Sequence, residues 1–303
     1  MKPSYSDYRG FALPKSFTRE AFESALEYQP ASDDIFVSGY PKCGSTWTQN
    51  MVYLLMRGGT PLGAGEKLTE VFPHLEEVGR EFVESLPVPR FIKTHLPFGM
   101  TPWHPRARYI YVARNPFDCA VSFFHHTRGF PQHYNFAEGT FDEYFECFLA
   151  GAVDFGDYFD NLCSWYDHRD DDNVLFMTYE GMKRDAPGAV TAIGAFLGID
   201  TAGDSPLLEA VLKHSHIDSM RKNPQRWSTR RPTGMPAFIR RGVVGDWANL
   251  FSAEHTGCLL GKFRDRTAGT DIAALWSEIL AQASKLSSAQ SGASRDRGTP
   301  RIR

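Results

Sequence analysis

The chain has 303 residues, 42% of them hydrophobic and 23% charged, with a net charge of −3. That is ordinary globular composition with enough apolar residues for a substantial core, and the small net charge supplies no global field to draw nucleic acid or an anionic membrane. Five cysteines (Cys43, Cys119, Cys147, Cys163, Cys258) are scattered without a C-x-x-C pair, so neither a zinc site nor a disulfide framework is indicated, and reduced thiols in an intracellular protein are expected.

Taken in chain order, the first seventeen residues lack an apolar run, so no secretory signal is read. No later stretch approaches the length of a membrane span. A soluble, cytoplasmic protein without a membrane or nucleic-acid partner is expected. The first strand reads at 35–39 (IFVSG), bounded by Asp33 and Asp34. Next comes GYPKCGST, with Gly39 and Gly44 at the spacing of a phosphate loop but with lysine displaced: Ser45 follows the second glycine and Lys42 lies inside the loop. Residues 46–57 then carry Trp47, Met51, Leu54 and Leu55 at helical spacing, ended by Gly58 and Gly59. Strand, glycine loop, helix is the context an anion cradle needs. The glycines let backbone N–H groups face inward, the helix presents its positive end, and Lys42, Ser45 and Thr46 add a charge and two hydroxyls.

Further strands read at 90–94, 108–113 and 174–178, with helical patterns at 116–126, 141–150, 155–167, 186–197, 203–222 and 252–284. Strands alternating with helices predict an α/β fold: one domain over 1–284 with a mostly parallel central sheet flanked by helices. The polar stretch 285–303 reads as a disordered tail. The strand at 108–113 ends in Arg114. A metal-dependent P-loop phosphotransferase, the rival reading from another class, wants a metal-binding carboxylate in such a place. Arginine repels a metal and suits bidentate phosphate contact, which argues for a second phosphate and no obligatory metal. At the end of the 90–94 strand, Lys93 and His95 alternate with Thr94 and share a side. Strand C-termini of an open α/β sheet face the ligand crevice. A histidine there is suited to general-base work, because its ordinary pKa lies near neutrality. His125, His126, His214 and His216 compete with it by residue type alone.

Four segments carry a family resemblance: YPKCGSTW at 40–47, KTHLP at 93–97, RNPFDCAVS at 114–122 and RRGVVGDW at 240–247. In this order they resemble the cytosolic-type sulfotransferases, over roughly residues 15–265. That family uses 3′-phosphoadenosine 5′-phosphosulfate (PAPS) as co-substrate and releases 3′-phosphoadenosine 5′-phosphate (PAP). The resemblance implies a P-loop-like phosphosulfate site at Lys42, Gly44, Ser45 and Thr46, with Trp47 stacking on adenine. It implies a 3′-phosphate site at Arg114, Ser122, Arg240, Arg241 and Gly242, and adenine-side contacts at Tyr179, Ser215 and Met220. Ile217 stands where the family usually has phenylalanine. His95 would be the general base, and Lys42 and Lys93 would hold charge on the transferring group, with no metal required.

The acceptor is expected to be a small hydrophobic phenol, steroid, alcohol or amine. Phe72, Phe98, Phe124, Phe130, Tyr134 and Phe136 are the candidates for its pocket. Carbohydrate or peptidyl acceptors are the near alternative, and a non-catalytic PAP sensor is the rival from a binding class. The family's dimerisation pattern, K-x-x-x-T-V-x-x-x-E, is missing at 248–257, so a monomer or a dimer through a non-standard interface is expected. Cys43 reads as a small loop residue, with redox sensitivity as the alternative.

Overall fold

The computed structural model describes residues 1–8, 10–201, 206–228 and 231–295. A short antiparallel hairpin, β1 (Ser6–Tyr8) and β2 (Phe11–Leu13), opens the chain. The central sheet then assembles from β3 (Ile35–Ser38), β4 (Phe91–Thr94), β5 (Arg108–Ala113) and β6 (Val174–Thr178). All its pairings are parallel, in the order β4-β3-β5-β6. These strands are apolar on both faces because helices cover both. β3 and nearly all of β5 are fully buried, as a continuous hydrophobic run in a parallel sheet requires.

One face packs Ile35, Val37, Ile110 and Val112 against the Ser45–Met56 and Ala186–Leu197 helices. The other packs Phe36, Tyr109 and Tyr111 against Trp165 and an aromatic cluster from the Pro116–Arg128 and Phe141–Leu149 helices. Phe36 stacks on Tyr109 at 4.7 Å and Tyr111 on Trp165 at 5.2 Å. Contacts of this kind add about 0.5–1.5 kcal/mol beyond burial of their area. Among the described residues no helix is long and apolar enough to cross a membrane.

The region 66–88 holds three short helices, Leu68–Val71, Leu75–Val78 and Arg80–Glu84. The last helix runs Ser277–Arg295, so the tail expected from 285 begins as helix. The reason is local: Ala283 is buried and Leu286 packs against the core, which carries the helix into the polar stretch. Residues 296–303 lie outside the described residues.

β3 is flanked by β4 on one side and β5 on the other, so successive crossovers leave in opposite directions. The crevice beyond its C-terminal end is the switch point where open α/β sheets take ligands. All four strands deliver their next residues there: Gly39 after Ser38, His95 after Thr94, Arg114 after Ala113 and Tyr179 after Thr178.

Candidate active site

A cavity of about 680 Å³ occupies that crevice. It is lined by every site residue expected from the sequence: Lys42, Gly44, Ser45, Thr46, Trp47, Lys93, His95, Arg114, Ser122, Tyr179, Ser215, Met220, Arg240, Arg241 and Gly242, with Ile217 among them.

The loop after β3 is shaped by its glycines. Gly39 (φ 151°) passes so close to β5 that a Cβ would sit 2.5 Å from the Val112 carbonyl oxygen, and at Gly44 (φ 111°) a Cβ would sit 2.9 Å from the Tyr179 ring. Lys42 itself is left-handed (φ 72°), a conformation that costs a non-glycine residue about 1–2 kcal/mol. Gly44 is also the N-cap of the Ser45–Met56 helix and supplies no side-chain cap. The Trp47 amide donates to the Gly44 carbonyl (3.0 Å), and the Ser45 and Thr46 amides of the first turn are left for an anion. The Pro116–Arg128 helix behind Arg114 is capped differently: Asn115 Oδ1 accepts from the Asp118 amide at 2.9 Å.

Cations converge on this loop. The Lys42 ammonium lies 3.3 Å from His126 Nδ1 and over the Phe238 ring at 4.4 Å. Burial first, then the charges of Arg231, Lys93 and Arg114, push its pKa well below the ordinary lysine value. Arg114, only 7% exposed, donates to the Lys42 carbonyl (3.3 Å) and the Val243 carbonyl (3.1 Å) and stacks over Tyr179 at 4.4 Å. Its Nε is buried with no partner among the described residues. Arg240 and Arg241 both pair with Asp246. The turn carrying Asp246 is docked by Asp118, whose carboxylate accepts from the amides of Gly245 (2.8 Å) and Trp247 (3.0 Å). Gly242 is left-handed (φ 65°), and a Cβ there would collide with Ile217 Cδ1. Of the residues expected on the adenine side, Trp47 meets Tyr179 edge-on at 5.8 Å.

Lys93 and His95 line the same cavity. β3 and β4 are in register with Ser38 opposite Thr94, so Gly39 and His95 leave their strands at one level. His95 Nδ1 lies 2.5 Å from the Gly39 carbonyl oxygen. A carbonyl only accepts, so Nδ1 carries the proton, and Nε2 is left as the ring's acceptor. The His95 amide donates to buried Glu76 (2.7 Å), which also accepts from Thr94 Oγ1 (2.8 Å). Asn161 donates to the His95 carbonyl at 2.9 Å. Burial, then Lys93 and His74, hold the His95 pKa well below the usual imidazole value, so the ring is neutral. Burial likewise lowers the pKa of Lys93.

Of the six aromatic residues proposed for an acceptor pocket, Phe72, Phe130 and Tyr134 line the cavity. Phe124 and Phe136 belong to the core between helices, and Phe98 stacks on His168 at 3.4 Å. The correction has a simple cause, since aromatic type does not reveal which face of an element turns inward. The sequence reading missed Phe17, His74, His126, Asp154, Phe155 and Phe238, all of which line the cavity. His126 was weighed only as a rival base. A cue existed for one of the others: Asp154 interrupts an apolar stretch bounded by Gly151 and Gly156. Among the described residues no cluster of three His, Cys, Asp or Glu side chains is placed to hold a metal ion.

Comparison with known proteins agrees with this geometry. A family model described as a sulfotransferase domain matches residues 32–270. Mouse Sulfotransferase 1B1 is 33% identical over 267 residues, covering 83% of this chain and 88% of the relative. Gorilla Sulfotransferase 6B1 is 34% identical over 274 residues, covering 88% and 87%. Among solved structures, mouse sulfotransferase SULT7A1 complexed with PAP matches with a TM-score of 0.75 at 28% identity, over 90% of this chain and 98% of that one. A retinol dehydratase crystallised with androsterone and PAP matches equally well in fold, TM-score 0.75, at 22% identity over 89% of this chain and 91% of that one.

Proposed function

This chain belongs to the sulfotransferase family, and we propose that it transfers a sulfuryl group from PAPS to a hydroxyl or amine of a small hydrophobic acceptor, with His95 as general base. It is a PAPS-dependent sulfotransferase. When bound, PAPS supplies a sulfuryl group already activated by its bond to a phosphate leaving group.

The residues fit a nucleotide with two separate anionic ends. At one end stand the uncapped helix N-terminus at Gly44 and the Lys42 ammonium. At the other, Arg114 holds a buried Nε with no partner among the described residues, beside Arg240, Arg241 and the crowded Gly242 turn. In this reading Lys42, Ser45 and Thr46 hold the 5′ end. Arg114, Ser122, Arg240, Arg241 and Gly242 hold the 3′-phosphate. Trp47, Tyr179, Ser215 and Met220 enclose the base. Lys42 and Lys93 stabilise charge on the departing group, as fixed cations in a dry site do.

A single observation carries the assignment of the base. The Gly39 carbonyl fixes the His95 tautomer, leaving Nε2 free to take a proton from the acceptor. Aromatic walls from Phe17, Phe72, Phe130 and Phe155 support a hydrophobic acceptor. All five cysteines are free thiols, in keeping with a cytoplasmic setting.

The test is a calorimetric titration of PAP together with an acceptor screen using labelled sulfate donor, with and without EDTA, on the wild type and His95→Ala. Expected are PAP binding by both proteins, turnover by the wild type alone and no effect of chelator. Equal loss of PAP binding and turnover in His95→Ala would make that residue architectural.

A further inference from the structure

The loop between the Phe141–Leu149 and Tyr158–Tyr166 helices holds a carboxylate outside the residues proposed to hold PAPS or to act as base. Asp154 lines the cavity and is 2% exposed. Its Oδ2 accepts from the Tyr134 hydroxyl at 2.8 Å. Its Oδ1 is buried with no hydrogen-bond partner among the described residues. Buried polar atoms are paired as a rule, and an orphan at a binding site calls for a ligand donor.

The loop is built to keep the residue there. Phe155 is left-handed (φ 64°) although it is not glycine, and Gly151 and Gly156 flank the turn at φ 69° and 73°. Strain of this sort persists only where the surroundings impose it. Here the Phe155 amide donates to the Ala12 carbonyl of β2 (2.9 Å), and the Tyr40 hydroxyl of the phosphate loop donates to the Gly156 carbonyl (2.8 Å). The Phe155 ring packs 5.1 Å from His95. Asp154 is thereby held in the half of the cavity that contains the base.

The chemistry of the surroundings narrows the ligand. Burial pushes the Asp154 pKa up to about 7, against the Tyr134 hydrogen bond and the charge of Lys42, whose ammonium is engaged with His126; a ligand cation would restore the carboxylate form. Tyr5 meets the Tyr134 ring edge-on at 5.8 Å. The walls are aromatic, and aromatic faces favour a cation. We infer that Asp154 is an acceptor-recognition residue: its free oxygen takes a hydrogen bond from a protonated amine that the acceptor carries apart from the group that is sulfated. The enzyme then discriminates for amine-bearing phenols and alcohols over neutral ones of equal size. This inference rests on the sulfotransferase reading of the cavity.

The test compares tyramine with 4-propylphenol, which replaces the ammonium by a methyl group, in calorimetric titrations of the protein saturated with PAP. Wild type is expected to bind tyramine about 10–100-fold more tightly, the range of a charge-assisted hydrogen bond. Asp154→Asn, which keeps an acceptor for Tyr134, is expected to reduce that ratio to near one. Asp154→Glu is expected to restore part of it. PAP affinity of each variant reports whether the site is folded. Equal or weaker binding of tyramine by wild type, binding of neither phenol, or a ratio unmoved by Asp154→Asn would overturn the assignment and leave the carboxylate to a structural water. Failure of PAP itself to bind would instead strike the reading of the whole cavity.

Discussion

His95 and Gly39 are joined by one hydrogen bond of 2.5 Å from the imidazole Nδ1 to the peptide oxygen. The proposed base and the phosphate loop thus share a peptide group. If Nε2 is the proton acceptor, His95→Ala loses turnover by about 10²–10⁴-fold while PAP affinity stays within about threefold. Steady-state kinetics and PAP calorimetry on the same preparation check this. His95→Asn, which can still donate to Gly39 but offers no base, is expected to behave alike.

The acid limb of the rate profile follows from burial. The imidazolium form is disfavoured inside the cavity and beside Lys93, so the His95 pKa lies well below 6.5. The neutral, active form therefore persists as pH falls through 6.5 and is lost only at lower pH. A profile of kcat/KM against pH is expected to be flat across neutrality, with its acid inflection clearly under 6.5. An inflection at the ordinary imidazole value would show that His95 is solvated in the working enzyme.

PAP binding is expected to take up protons. Burial and the neighbouring cations Arg231, Lys93 and Arg114 lower the pKa of Lys42. A polyanion placed among them reverses the electrostatic part of that shift and favours the ammonium form. The direction is proton uptake, increasing over the pH range in which free Lys42 loses its charge. Calorimetry in buffers of different ionisation enthalpy reads this directly, and Lys42→Met should abolish it.

At Gly242 two costs can be separated. Gly242→Ala forces a side chain into the left-handed region, about 1–2 kcal/mol, and drives its Cβ into Ile217 Cδ1. PAP affinity should fall by about 5–30-fold. Adding Ile217→Ala should recover the part due to collision and leave the part due to φ. Absence of any recovery would place the whole effect in the backbone.

Asp118 is a stability prediction. It is 1% exposed and accepts from Asn115 Nδ2 and from the amides of Gly245 and Trp247. Asp118→Ala leaves the Trp247 amide buried and unpaired and strips the partly buried Gly245 amide of its partner, while Asn115 Nδ2 keeps its bond to Glu180 Oε1 (2.6 Å); the loss is about 2–3 kcal/mol in total. Chemical denaturation should show that loss, and hydrogen exchange at 243–247 should quicken before the rest of the domain.

Much of this was legible in the sequence. Each of the four strands of the parallel sheet begins and ends within a residue of its reading, because β-branched and aromatic runs between glycines and prolines admit few alternatives. His95 and Arg114 were legible because each immediately follows a strand, and Lys42 because it lies in the glycine loop between β3 and the next helix; local order implies a place in the crevice for all three. Asp154 and Phe155 were not, beyond the polar break that Asp154 makes in its apolar stretch. Their surroundings arise from Ala12, Tyr40 and Tyr134, contacts distant in sequence that no local pattern encodes. Phe98, Phe124 and Phe136 show the reverse case: right by type, but turned to the core or, for Phe98, stacked on His168 by helix phase and loop path. The β1–β2 hairpin escaped notice because strands of three residues carry no period.

The alignment of Ser38 with Thr94 bears on how such an enzyme could be rebuilt. The turn after β3 and the one after β4 leave neighbouring strands at the same height and are stitched together at once. A chimera that imports residues 39–46 from a relative without the matching 91–97 would inherit the cradle but misaim the imidazole. The two segments form one exchangeable module, although some fifty residues of chain separate them.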